Sequence, residues 1–375
     1  MPWLMACLPE LRGCGMPPEL HVGRPNIGNR ERLMARINGI LDSRLLTNDG
    51  PLVREFEREA AKIVGVKHCV AVCNATIGLG IVARALGLKG EVIMPSWTFI
   101  ATAHALSWLG ITPVFCDVDQ SHNIDPAGIG HLVTPHTTGI IGVHLWGRPC
   151  DVGALAEVAG YYGLALIYDG AHAFGCGSAA AGGPTVYSFH ATKFINCFEG
   201  GAIVTDDADL ARRLRLMRNF GFAGEDRVES IGANGKMSEV SAAMGLTSLE
   251  SLDEIVAVNR GNYERYRAGL AGLPGISLLN QKGSGNYQYV VIEVDHSRDE
   301  LKAALHAERI YARSYFNPGC HRSEPYRSQP QPELPVTERL SGCVLALPTG
   351  TGVSRDDVDR VCGVIRRSIQ SRRAA

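Results

Sequence analysis

A chain of 375 residues is about two and a half times a typical 150-residue domain, so a large domain with a smaller companion is expected and a single small module is excluded. Hydrophobic residues make up 45 % of it and charged residues 20 %, with no run of 18 apolar residues, which excludes a membrane span. Thirty-seven Lys and Arg against 38 Asp and Glu leave a net charge of −1, so no broad field favours nucleic acid or an anionic membrane, and an anionic ligand must be held by a local site.

The stretch from Met1 to Pro18 carries no basic n-region, and Pro9 breaks its apolar run, so it reads as a loose extension rather than a signal peptide. From about residue 50 to 250 helix-like and strand-like segments alternate, the pattern of a mostly parallel sheet covered on both faces. Leu52, Phe56 and Ile63 fall at helical spacing after Gly50-Pro51, and a strand from His68 to Cys73 ends at Asn74. A helix follows from Thr76 to Leu86, then short strands at Glu91–Met94 and Pro113–Asp117. Gly139–His144 and Leu164–Tyr168 are further apolar runs flanking an amphipathic segment, Asp151–Tyr161, in which Leu155, Val158 and Ala159 share a face. After Val240 a long helical stretch through Leu249, Leu252, Ile255 and Val258 to Leu270 reads as a linker helix, stopped by Pro274-Gly275. A strand at Tyr287–Val294, a helix at Arg298–His306, an irregular stretch from Pro318 to Pro335 and a final helix from Ser354 to about Ser371 complete a small α+β domain. The division expected is therefore an extension over 1–22, a large domain over 23–250, and linker helix with small domain over 251–375. Eleven scattered cysteines without a C-x-x-C pair or zinc spacing read as reduced thiols of a cytoplasmic protein, with no metal site.

Ligands of open α/β sheets gather at the carboxyl ends of the strands. There "LALIYDGAHAFG" puts Asp169 at a strand end with His172 three residues on, and "TVYSFHATKFINCFEGGAIVTDD" puts Ser188 and Lys193 after another strand. A lone loop lysine is usually a solvated surface residue and a strand-end Asp usually a helix cap. Together they supply what pyridoxal phosphate chemistry needs: a lysine to join the aldehyde, a carboxylate to keep the pyridine nitrogen protonated, and donors for the phosphate. Burial beside a cationic ring lowers the pKa of such a lysine towards neutrality.

These stretches resemble the DegT-type sugar aminotransferases, pyridoxal-phosphate enzymes that aminate keto groups on nucleotide-linked sugars and cyclitols. The resemblance runs through "LLTNDGPLVREFE", "VAVCNATIGL", "MPSWTFIATAHALSWLGITPVFCDVD", "IYDGAHAFG", "YSFHATKFINCFEGG" and "GANGKMSEVSAAMGL", six motifs in the family's order. It implies an aspartate-aminotransferase-like fold and a transfer of nitrogen from glutamate or glutamine to a keto sugar. The forms "FEGG" and "NGKMSE" look like the subset acting on dTDP-4-keto-6-deoxyhexoses; a 3-keto sugar nucleotide or a ketocyclitol is the alternative substrate, and a non-catalytic binding or regulatory protein the alternative class.

Carried over residue by residue, the resemblance implies that Lys193 joins the cofactor and moves the substrate proton, and that Asp169 binds the pyridine nitrogen. Ala75 and Thr76 would present backbone amides and a hydroxyl to the phosphate, with Ser188 adding a second hydroxyl. Phe99 would cover the ring, in preference to Trp97, and His172 would stand near the ring oxygen. Asn234 would reach the phosphate of the neighbouring chain in a homodimer. Tyr315 and His321 are candidate substrate contacts. Ala75, Tyr168, Phe198 and Lys236 depart from the commonest family pattern without removing a reacting group. Lys193 argues against the family's dehydratase variant, which carries His there.

Overall fold

The computed structural model describes residues 17–177, 182–281, 285–295 and 297–373. In chain order the first half comprises β1 (Leu20–His21), α1 (Arg30–Ser43), α2 (Pro51–Val64), β2 (His68–Val72), α3 (Ala75–Ala85), β3 (Glu91–Pro95), α4 (Ala101–Ser107), β4 (Thr112–Cys116), α5 (Pro126–Ile129), β5 (Thr137–Val143), α6 (Val152–Tyr162) and β6 (Ala165–Asp169). The second half continues with β7 (Thr185–Ser188), β8 (Gly201–Thr205), α7 (Ala208–Met217), α8 (Glu239–Glu250), α9 (Leu252–Leu270), β9 (Ile276–Leu278), β10 (Val290–Val294), α10 (Arg298–Ala307), β11 (Ile310–Tyr311), α11 (Pro335–Cys343), β12 (Val344–Leu347) and α12 (Arg355–Arg373). Seven strands form one sheet in the order β2-β8-β7-β6-β5-β3-β4. β8 is antiparallel to both neighbours and the other pairings are parallel, so six strands end on one edge.

The alternation of strand side chains splits the core in two. Val70 and Val72 of β2 pack with Leu79 and Val82 of α3 and Leu214 of α7 on one face. Cys69 and Ala71 turn to the other face, against Phe56 of α2 and Leu246 of α8. Each large side chain removed from water in this way contributes about 1.5–3 kcal/mol. Helix α2 begins at Gly50-Pro51, and its first free N–H groups are taken by a distant side chain: the Glu239 carboxylate accepts from Leu52 N at 2.9 Å and Val53 N at 3.0 Å. A Cβ on Gly50 would stand 2.5 Å from the Glu239 carboxyl carbon, so glycine is what lets that cap close.

The smaller unit is a three-stranded sheet, β12-β10-β9, covered by α9, α10 and α12 through Tyr266, Leu301, Leu305, Val361 and Ile365. Several expectations are corrected here. Leu20–His21 pair in parallel with Ile310–Tyr311, so the expected loose extension stops short of Leu20, whose buried side chain joins the small core; residues 1–16 lie outside the described residues. The linker is two helices, with Ser251 between them outside the helical region at ψ 10° and its hydroxyl turned back to the Thr247 carbonyl. The strand foreseen over Tyr287–Val294 begins only at Val290, because Tyr287 has a left-handed φ of 52° that no ladder accommodates. Helix α11 and strand β12 fill a region where no element was foreseen.

Candidate active site

Register brings three distant segments together at the strand ends. Val72, the last residue of β2, lies opposite Gly201 of β8, and Gly201 lies opposite Ser188, the last residue of β7. The start of α3 therefore sits beside Ser188. Asn74 caps that helix by accepting from Ile77 N at 2.9 Å, leaving the amides of Ala75 and Thr76 among those a helix cannot pair with its own carbonyls. A Cβ on Gly201 would meet Ala75 N at 2.7 Å and Asn74 C at 2.8 Å, so glycine permits the helix end to seat on the sheet. With Thr76 exposed and the Ser188 hydroxyl partly so, this end is built to receive an anion.

One strand further on, Asp169 ends β6 beside β7. Its carboxylate is buried. Thr102 Oγ1 donates to one oxygen at 2.7 Å and Ala171 N to the other at 3.0 Å, and Thr98 supports Thr102 with a hydroxyl contact of 3.0 Å. Burial pushes the Asp169 pKa above the ordinary carboxylate value, against the pull of these two hydrogen bonds and of Lys193. Lys193 stands close enough for its charge to act on Asp169. Desolvation brings the ammonium pKa down from 10.5 to about 8, against the opposing attraction of Asp169 and Tyr315. A lysine that is partly deprotonated near neutrality beside a carboxylate that favours a cationic partner is a nucleophile and a proton carrier next to a cation-binding group.

His172 is buried between these groups. Its Nδ1 accepts from Trp146 N at 3.2 Å, so the neutral ring carries its proton on Nε2. Burial, then the Lys193 charge, hold its pKa well below the usual histidine value, so it is a neutral donor. Phe99 is 55 % exposed at the mouth of the cleft, 6.2 Å from the Phe316 ring, whereas Trp97 is core, packed edge-on against Trp146 and Phe316.

The remaining candidates lie further out. Tyr315 stands close enough to Lys193 to influence its charge, with Arg313 5.4 Å over its ring. His321 is buried and bonds Ser96 Oγ through Nδ1 at 2.6 Å, tying the segment after β11 to the loop after β3. Asn234 is exposed on a segment held to the sheet by the hydrogen bond from Cys73 N to Gly235 O. Thr102 and Tyr289 escaped sequence reasoning. Thr102 had a signal, since it follows Thr98 by one helical turn in "SWTFIATAHAL"; Tyr289, ninety-six residues from Lys193, had none. No group of three or more His, Cys, Asp or Glu side chains is placed to hold a metal among the described residues.

The DegT/DnrJ/EryC1/StrS aminotransferase family matches the chain over residues 28–366. A dTDP-4-amino-4,6-dideoxy-D-glucose transaminase of Shigella dysenteriae is 37 % identical over 364 residues, covering 94 % of this chain and 99 % of the relative. The crystal structure of DesI in the presence of its TDP-sugar product superposes with a TM-score of 0.91 at 49 % identity, covering 96 % of this chain and 97 % of that one. The crystal structure of NtdA from Bacillus subtilis with bound cofactor PMP matches with a TM-score of 0.87 at 26 % identity, covering 96 % and 86 %.

Proposed function

The chain belongs to the DegT/DnrJ/EryC1/StrS aminotransferase family, and from that premise we propose that it transfers an amino group from glutamate or glutamine to a dTDP-4-keto-6-deoxyhexose, using pyridoxal 5′-phosphate. Two features of this structure fit that cofactor: a desolvated carboxylate suited to a cationic ring nitrogen, and a helix N-terminus seated over Gly201 beside Ser188, suited to a phosphate. When bound, the cofactor supplies an electron sink for the carbon–nitrogen chemistry. The rest is this chain's work. Asp169, oriented by Thr102 and Ala171 N, would keep a proton on the ring nitrogen. Ala75 N, Thr76 and Ser188 bind the phosphate. Lys193 Nζ would hold the cofactor's aldehyde end and move a proton at the substrate carbon, which its lowered pKa would permit near neutral pH. His172, with its proton on Nε2, would donate to the cofactor's ring oxygen, and Phe99 would cover the ring.

The observation that carries this reading is the pairing of a buried Asp169 with a Lys193 whose pKa falls to about 8. Incubating the purified protein with pyridoxal phosphate, glutamate or glutamine and a panel of 4-keto and 3-keto sugar nucleotides and ketocyclitols, with products weighed by mass spectrometry, tests it. Amination of the dTDP-4-keto-6-deoxyhexose, lost in Lys193→Ala, is the expected result. Turnover of only a 3-keto sugar or a cyclitol would move the substrate assignment, and no turnover of any substrate would return the chain to a binding role.

We also infer a homodimer in which Asn234 completes the phosphate site of the neighbouring chain, supported by its exposure on a segment anchored to β2 beside the anion end. The free cysteines among the described residues fit a reducing, cytoplasmic setting, and no helix there is long and apolar enough to cross a membrane. Lys193→Ala and Asn234→Ala chains, each impaired alone, should recover up to about a quarter of wild-type activity on mixing, since random two-fold pairing leaves one intact site per heterodimer. A fully active monomer on sizing would defeat the shared site. Of the two candidate substrate contacts, Tyr315 faces Lys193 and is the stronger; His321 would act through Ser96 and the loop it holds.

A further inference from the structure

Tyr289 belongs to the small unit, immediately before β10, and its backbone is fixed on both sides. Val290 pairs with Leu347 of β12, and Gln281 Nε2 donates to Tyr289 O at 3.0 Å. The side chain is only 6 % exposed, packed in the apolar cluster of Trp97, Trp146 and Phe316, with its ring 4.5 Å from that of His172. A buried phenol needs a hydrogen-bond partner. Lys193 Nζ supplies one, 3.3 Å from the Tyr289 hydroxyl, and the neighbouring Gln288 side chain also hydrogen-bonds the phenol.

We propose that Tyr289 is a positioning residue for Lys193: its hydroxyl, carried into the cleft by the small unit, holds Nζ in place in both of the lysine's protonation states. A phenol can do this where a carbonyl or a carboxylate cannot, because it accepts from the ammonium and donates to the neutral amine. Burial raises the Tyr289 pKa, so the group remains a phenol throughout the working pH range. Asp169 and Tyr315 act on Nζ electrostatically, and the Lys193 charge in turn keeps His172 neutral; among the described residues Tyr289 is the one hydrogen-bonded to Nζ. A tethered four-carbon side chain loses less freedom on each proton transfer when its end is already held, and small losses of alignment are costly to rate. The inference rests on the role of Lys193 proposed above.

The test needs one readout in the protein without cofactor. In apoprotein, the pH dependence of Lys193 acetylation by acetic anhydride, followed by peptide mass spectrometry, gives the midpoint of its titration. Hydrogen bonds to charged groups are stronger than those to neutral ones, so Tyr289→Phe should lower that midpoint by about half to one pH unit. In the holoenzyme kcat should fall about tenfold with the KM for the sugar nucleotide unchanged. Tyr263→Phe is the control. It removes another buried hydroxyl of the same unit, one that donates to Leu279 O at 3.2 Å, and should cost stability without moving the Lys193 midpoint. Replacing Tyr289 by 3-fluorotyrosine, which restores the hydroxyl, should restore both midpoint and kcat, and also covers a Tyr289→Phe chain that folds poorly. A Tyr289→Phe midpoint and kcat equal to wild type, or the same shift in Tyr263→Phe, would overturn the proposal. Absence of transamination in the wild type would instead strike the proposed function and leave the acetylation result to speak for the contact.

Discussion

The Asp169–Lys193 end of the cleft holds charge in a dry setting, whereas the α3 end offers backbone donors at an exposed helix terminus. At the first, burial drives the pKa values of both groups towards their neutral forms, and two hydrogen bonds and a phenol restrain them. At the second, Gly201 makes room for a helix start whose amides, with the hydroxyls of Thr76 and Ser188, suit an anion. The difference separates reactivity from affinity. Desolvation makes a lysine nucleophilic at a cost in stability, while an anion site needs geometry and access and costs the fold little.

That separation can be broken most severely at Asp169. Asp169→Asn keeps the size and the Thr102 contact but removes the charge that holds the ring proton, and kcat should fall by about 10² to 10⁴ with the fold intact by circular dichroism. Activity within threefold of wild type would mean that another group holds that nitrogen. A smaller effect of the opposite kind belongs to Gly201→Ala. Its Cβ would press on Ala75 N and Asn74, unseating the start of α3, and titration with pyridoxal phosphate should show affinity weakened about ten- to a hundredfold. With saturating cofactor kcat should change little; if kcat falls as far as affinity, the two ends are not separate.

The smallest effect is one of pH, and it sharpens the contrast. With Lys193 titrating near 8, the rate at which apoprotein joins pyridoxal phosphate should rise about tenfold per unit up to that pH and then level off, followed by absorbance. The sign for stability follows. A lysine whose folded pKa lies below its unfolded value penalises the fold fully below pH 8, and the penalty is relieved as pH rises from about 8 towards 10.5, so chemical denaturation of apoprotein should show stability gained from this group over that window. A profile that levels only near pH 10 would place Lys193 in water.

The sequence by itself determined the alternating α/β order, the strand ends bearing Asp169 and Ser188, Lys193 in the loop beyond β7, and the helix that opens after Asn74. Each is written in local patterns of two, three or four residues, the scale on which periodicity, capping and strand ends act. Only the tertiary structure decided that Thr102 orients Asp169, that Trp146 N sets the proton of His172, that Glu239 caps α2, and that Tyr289 holds Lys193. These contacts join residues 26 to 187 positions apart, and no local pattern encodes which distant side chain fills a buried vacancy. Burial decides it, because a polar group taken out of water must find its partner wherever the packed chain has put one.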